Sequence, residues 1–244
     1  MRRRRDDAKT ETWETSASVA AHRWRHLTDS DVNRLIGEAR RFDTTRRWEG
    51  LDGLVVGSEM RAMISATASL LSVNIGERVF SDVATVIIAP RSAVRRAHQD
   101  AGGSLISEGV VDILGESAMH GPVRLAWDTV VEELASGSRT SVIIHEFAHK
   151  VDMSDGYANG VPPIRDHEAA LRFRNTAAAV LDQLRSEATP SPLRSYAAVN
   201  ESELFAVASE AFFLDASAMR SHHEDLYREM AGFYRQDPAR IVRP

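Results

Sequence analysis

Apolar residues fall into short blocks along the chain, and the period of each block predicts an element. Val32, Leu35, Ile36 and Ala39 recur at helical spacing with Arg and Glu between them, and Thr28-Asp29-Ser30-Asp31 supplies caps just ahead. Residues 62–75 carry little charge, are broken up by Ser, Thr and Asn, and are too short for a bilayer span, which predicts a buried helix; helical spacing sets it at about 58–72. Residues 83–89 are short, β-branched and stopped by Pro90, the clearest strand. Residues 105–114 predict a second strand. Residues 122–128 alternate and predict a third, with Pro122 at its start as suits an edge. Residues 167–186, 201–214 and 222–235 have helical spacing, separated by turn-rich 154–166 and by Pro190 and Pro192. Residues 1–22 read as a disordered basic and polar tail, and 23–244 as one domain. Helices, a small mixed sheet with an edge strand beside the helix at 141–153, then more helices predict the α+β class.

That helix organises the chain. Val142, Ile143, Ile144, Phe147, Ala148 and Val151 make it apolar nearly all round, Ser138 or Ser141 can cap its start, and Gly156 can end it. Within it stands His145-Glu146-Phe147-Ala148-His149. Residues four apart share one helix face, so the two imidazoles can grip one metal ion with Glu146 beside them. Two histidines and a glutamate in apolar surroundings are costly without a partner, and a metal is the obvious one.

Composition narrows the alternatives. The 244 residues carry a net charge of −5 and no cysteine. Disulfides, thiolate zinc sites and a thiol nucleophile are thereby excluded, leaving His, Asp and Glu as ligands. The charge gives no general attraction to nucleic acid or an anionic membrane. The arginines at 2–5 precede no apolar run, so no secretory signal is expected, and a cytoplasmic location is. No G-x-S-x-G elbow and no phosphate-binding glycine loop appears.

A catalytic zinc needs a third protein ligand. The metzincin continuation of the motif is absent. Glu203 opens an apolar helix whose other polar stripe residue is Glu210, the pattern of a glutamate ligand. A capping box of Asn200 with Glu203 explains the same spacing, and Glu201 is a rival ligand. Asp152 and Glu210 are candidates to bond a ligand histidine, or instead Lys150, a loop amide or an arginine. His22, His26, His98, His120, His167, His222 and His223 read as surface or packing residues.

Three segments together resemble the Mlc titration factor A family of zinc metallopeptidases, whose catalytic core resembles lethal-factor toxin proteases. They are residues 145–153 with Gly160-Val161-Pro162; Tyr196 followed by Glu203, Phe205 and Ser209-Glu210; and residues 233–238. Residues 121–127 add a fainter likeness. The resemblance implies that His145, His149 and Glu203 bind Zn2+, that Glu146 is the general base, and that Tyr196 donates to the oxyanion. It implies hydrolysis of a peptide or protein substrate by a zinc-activated water, aminopeptidase-like on small substrates. It also implies a possible partner, an Mlc-like transcriptional repressor. A second reading is a zinc protein that sequesters such a repressor with little catalysis. The family often has Asn-Pro-Ala-Glu where this chain has Asn200-Glu201-Ser202-Glu203. The strand at 122–128 is a candidate to pair with an extended substrate.

Overall fold

The computed structural model describes residues 2–92, 121–186 and 190–241, with side chains from residue 12 onward. Helices α1 (Arg2–His22), α2 (Asp29–Thr45) and α3 (Ser58–Ser72) precede most of the sheet. Helices α4 (Trp127–Ser136), α5 (Val142–Asp152), α6 (His167–Arg185), α7 (Glu201–Leu214), α8 (Ala216–His222) and α9 (Glu224–Tyr234) follow it. The strands are β1 (Arg47–Gly50), β2 (Thr85–Ala89) and β3 (Val123–Ala126). This is an α+β architecture, as the blocks of the sequence predict.

The sheet runs β1-β2-β3, and Trp48 lies opposite Val86, which lies opposite Val123. Every pairing among the described residues is parallel, not mixed as expected. The reason is connection length: residues 51–84, which contain α3, are long enough to cross over and bring β2 back alongside β1 in the same direction. Central β2 buries Val86, Ile87 and Ile88, whereas β3 buries Val123 and Leu125 and exposes Arg124. Burial on both faces in the middle and one face at the margin is what a covered parallel sheet requires. Strand β3 is one of the two outer strands among the described residues and packs against α5.

Helix α3 is the hub. Its Ala62, Ser65, Ala66, Ala68, Ser69 and Ser72 are all buried, and their small side chains let α1, α2 and α5 approach from different sides. Phe147 of α5 meets Phe42 and Phe80 edge to face, with centroids 5.5 and 5.2 Å apart. A second aromatic group behind α7 gathers Phe205, Phe212, Phe213 and fully buried Tyr234. The Tyr234 hydroxyl is satisfied there by Ser209 Oγ at 2.9 Å. A rigid platform thus backs each of the two helices that carry the site.

Three expectations need correction. The tail over 1–22 is helix α1, and Trp13, Ala17, Ala20 and Ala21 lie in the core against α3. The polar residues between these four hide the face, since only Trp13 is a large apolar side chain. Arg40 stacks over its ring at 3.9 Å. The strand at 122–128 ends at Ala126, and Trp127 starts α4, which the sequence reading missed. Alternation through Asp128, followed by β-branched Thr129, Val130 and Val131, masks that helix. Asp128 Oδ1 accepts from the Thr129 amide at 2.7 Å and from the Ser92 amide at 3.1 Å, fixing the turn from strand to helix. Finally, the helix predicted over 222–235 begins at Glu224, after His223 breaks from helical geometry at φ −134°. The strand predicted at 105–114, with His98 and His120, lies outside the described residues. No helix among the described residues is long and apolar enough to cross a membrane.

The core role of α1 is testable. Trp13→Ala should destabilise the fold by about 3–5 kcal/mol, the usual cost of emptying a large aromatic site. Denaturant unfolding measures this; a midpoint equal to that of the unaltered protein would return α1 to the status of a loose tail.

Candidate metal centre

Helix α5 starts where the sequence places it. Ser141 caps it by accepting from the Ile144 amide at 3.3 Å, and the Glu133 carboxylate of α4 accepts from the Val142 amide at 2.9 Å. A carboxylate at this end suits the helix dipole. Beyond Asp152 a short 3-10 turn ends at Gly156, whose φ of 97° is left-handed. The packing of α5 on α7 then sets His145 and His149 against Glu203.

The three side chains converge. His145 Nε2 lies 3.2 Å from Glu203 Oε2, His149 Nε2 lies 3.5 Å from the same oxygen, and the two Nε2 atoms are 3.3 Å apart. A tetrahedral zinc with bonds of about 2.0–2.1 Å spaces its donors roughly 3.3–3.4 Å apart. Glu203 Oε2 is buried and accepts no hydrogen bond. His145, His149 and Glu203 are the one group of this kind among the described residues.

Each histidine is turned by a second residue. His145 Nδ1 faces Glu210 Oε1 at 2.9 Å, and Glu210 Oε2 accepts the Ser141 amide at 2.9 Å. His149 Nδ1 faces Ser202 Oγ at 3.1 Å; Ser202 in turn donates to Asp152 Oδ2 at 2.8 Å, so it can only accept from the ring. Asp152 Oδ2 also accepts the Gly160 amide at 3.1 Å. Glu210 and Ser202 thus accept from Nδ1 of the two rings, which leaves both Nε2 atoms, on the Glu203 side, as the donors offered to a metal. Three lone pairs aimed at one point repel unless a cation sits among them, and this is the donor chemistry of a divalent metal.

The electrostatics agree. Burial disfavours the imidazolium at His145, yet the Glu203 and Glu210 carboxylates outweigh it and raise its pKa to about 9. Burial alone would raise Glu203, but His145 and His149 hold its pKa down to about 2. In the protein without metal, a proton takes the place of the cation. Burial raises the Glu146 carboxyl above its ordinary value, against the pull of His149 and His145.

Asn200 does cap α7, accepting from the Glu203 amide at 2.9 Å. The Glu203 carboxylate does not complete the capping box. It turns to the histidines and accepts from Tyr196 Oη at 3.3 Å through Oε1. The two explanations of that spacing thus divide between backbone and side chain. Glu201 is exposed and outside the cluster. Its carbonyl backs Gly160 so closely that a Cβ there would stand 2.2 Å from the oxygen, so only glycine lets this loop reach Asp152. Lys150 bonds the Gly121 carbonyl at 2.8 Å rather than Asp152.

His145, His149, Glu203 and Glu210 line one cleft of about 610 Å³, with Thr129, Glu133, Thr140, Val142, Glu146, Arg194 and Tyr196 on its walls. No residue of Val123–Ala126 reaches it. Sequence reading missed Ser202 and Arg194. Ser202 carried a faint signal, being one residue before a candidate ligand on the same helix; Arg194 carried none.

An HExxH helix joined by a glutamate from a second helix, in an α+β chain, defines a metallopeptidase-type centre. The chain belongs to the glucose-regulated metallo-peptidase M90 family, whose description matches residues 1–235. It is 29% identical over 217 residues to the uncharacterized protein slr2042 of Synechocystis sp. (strain ATCC 27184 / PCC 6803 / Kazusa), covering 87% of this chain and 79% of that one. It is 29% identical over 224 residues to Mlc titration factor A of Yersinia pestis (strain Pestoides F), covering 89% and 82%. The protein of that name from Yersinia pseudotuberculosis serotype O:3 (strain YPIII) gives the same figures.

The roles of Glu210 and Ser202 can be measured. Glu210→Gln and Ser202→Ala should each weaken zinc binding by about 10- to 100-fold, the common effect of losing such a partner. Competition with a chromophoric chelator reads the affinity. Unaltered affinity in both would show that the two histidines need no outside orientation.

Proposed function

We propose that this protein is a zinc metallopeptidase of the gluzincin type, with His145, His149 and Glu203 holding Zn2+, Glu146 as general base and Tyr196 as oxyanion donor. The reading is carried by the orphaned, buried Glu203 Oε2 between two Nε2 atoms, with Glu146 beside them on the same cleft. Two imidazoles and a carboxylate suit zinc, and three ligands leave one coordination position for catalysis. When bound, zinc polarises a substrate carbonyl and lowers the pKa of water at the site toward about 7.

The remaining work falls to side chains of this chain. Glu146 accepts the proton of the attacking water, and its raised pKa lets the carboxylic acid return that proton to the leaving amine. Burial, with Glu203 alongside, pushes the Tyr196 phenol up to about 12, so it stays protonated and remains a donor. Its present bond to Glu203 is long at 3.3 Å, and a carbonyl oxygen gaining negative charge is the stronger acceptor. Arg194 stacks on the Tyr196 ring at 5.1 Å and holds its plane.

Aminopeptidase-like trimming of small substrates and a cytoplasmic setting belong to the same proposal. A second reading, binding of an Mlc-like repressor, is supported by the name Mlc titration factor A that relatives carry. The two readings separate at one residue. Glu146→Gln should lower peptide hydrolysis by about 10²- to 10⁴-fold while one zinc per chain stays bound. Tyr196→Phe should lower kcat with zinc content unaltered. Peptide turnover and metal analysis check both; full turnover by Glu146→Gln would remove the base from the scheme, whereas zinc bound with no turnover by the unaltered protein would favour the repressor-binding reading.

A further inference from the structure

Glu133 of α4 is the one acid of the cleft, among the described residues, that neither makes an ion pair nor serves the hydrolysis scheme. Of the other three, Glu146 is the base, Glu203 faces the two imidazoles, and Glu210 is paired with Arg194 at 2.7 Å and with His145 at 2.9 Å. Glu133 bonds only neutral donors among the described residues. Its Oε2 accepts from the Val142 amide at 2.9 Å, and its Oε1 accepts from the Thr140 hydroxyl at 3.1 Å. Burial raises its pKa despite these two bonds, and the Glu210 charge adds to the rise. A cation at this carboxylate relieves both effects. Two hydroxyls flank the place. Thr129 lies one turn earlier on the same face of α4, Thr140 stands at the carboxylate, and both line the cleft. Their oxygens keep lone pairs to offer, and a primary ammonium brings three N–H donors.

The position is as telling as the chemistry. Glu133 holds the Val142 amide, and His145 lies three residues further along α5, a rise of about 4.5 Å. The carboxylate therefore stands within about one helix turn of the histidine that begins the donor cluster. In a peptide, the α-ammonium is separated from the carbonyl of its own residue by a single Cα. A lysine ammonium sits instead at the end of a flexible four-carbon stem and overshoots so short a span. An ammonium held at Glu133 thus belongs to the residue whose carbonyl is attacked, and that residue is the first of the chain.

We propose that Glu133 is a specificity-determining residue whose carboxylate, with the Thr129 and Thr140 hydroxyls, binds the free α-ammonium of a peptide, so that the first residue is the one removed. The proposal rests on the metallopeptidase reading and gives recognition of the amino end a particular side chain. The bonds from the Val142 amide and the Thr140 hydroxyl keep the carboxylate in place while its remaining lone pairs serve the substrate.

The test uses trialanine and N-acetyl-trialanine as probes. Zinc-loaded Glu146→Gln protein should bind trialanine roughly 10- to 100-fold more tightly than the acetylated peptide by calorimetry, the range of a charged hydrogen-bonded pair. Adding Glu133→Gln, which keeps an acceptor for the Val142 amide but drops the charge, should bring the two affinities together. Glu133→Asp, which keeps the charge on a shorter arm, should fall between. In turnover by the unaltered protein, the same preference should appear mainly in KM. Equal binding of both peptides, absence of binding by both, or a preference that survives Glu133→Gln overturns the proposal. So does an equal loss on both peptides in Glu133→Gln, which would confine Glu133 to capping α5. If Glu133→Gln fails to fold or to hold zinc, Glu133→Asp decides, an undiminished preference counting against the proposal. Selective binding without turnover by the unaltered protein would end the peptidase reading and leave the ammonium site standing; turnover of both peptides alike would do the reverse.

Discussion

Glu203 and its two histidine neighbours govern the rest of the structure. A buried carboxylate oxygen with no hydrogen bond, 3.2 and 3.5 Å from two imidazole nitrogens, is a costly arrangement in a protein interior. It persists because each member is held from behind. Glu210 holds His145, Ser202 and Asp152 hold His149, and Asn200 fixes the helix turn from which Glu203 projects. A proton shared between His145 and Glu203 relieves the repulsion among the three donors in the absence of metal, and the fold keeps the same place for a cation. Stability has been given up locally, and the surrounding core compensates.

That compensation is visible in the packing. Helix α5 lies between the small-residue face of α3 and helix α7, with the Phe42, Phe80 and Phe147 cluster beneath it. Helix α7 rests on its own aromatic layer. Two well-seated helices can keep three side-chain donor atoms in register to a few tenths of an ångström, which loops alone do poorly. The loop contribution is confined to two places where it is pinned. Gly160 sits against the Glu201 carbonyl and donates to Asp152, and the segment with Arg194 and Tyr196 is tied to Glu210 and Glu203.

Membership in a metallo-peptidase family and this geometry bear on different questions. Family membership fixes the class of chemistry expected of the chain. The geometry says which atoms face which, and it adds residues that the motif does not contain. Arg194 is the clearest of them, because it bonds Glu210, touches His145 and stacks on Tyr196 at once. Such a residue couples the orientation of His145 to the shape of the cleft.

By itself, the sequence determined the elements whose signals are local. The HExxH helix with its Ser141 cap and Gly156 stop, the helices at 58–72 and 201–214, and the strand ending at Pro90 follow from spacing, capping and proline chemistry. Glu203 as a partner for His145 and His149 was legible only as one of two options, because a capping box and a ligand share the same spacing. Tertiary structure decided between them by sending the backbone amide to Asn200 and the carboxylate to the histidines. It also turned the polar start of the chain into a core helix and Trp127 into the start of α4, since both depend on surfaces distant in sequence. Ser202, Arg194 and the parallel sense of the sheet belong to the same class. Each is a relation between segments brought together by packing, and no local period along the chain encodes it.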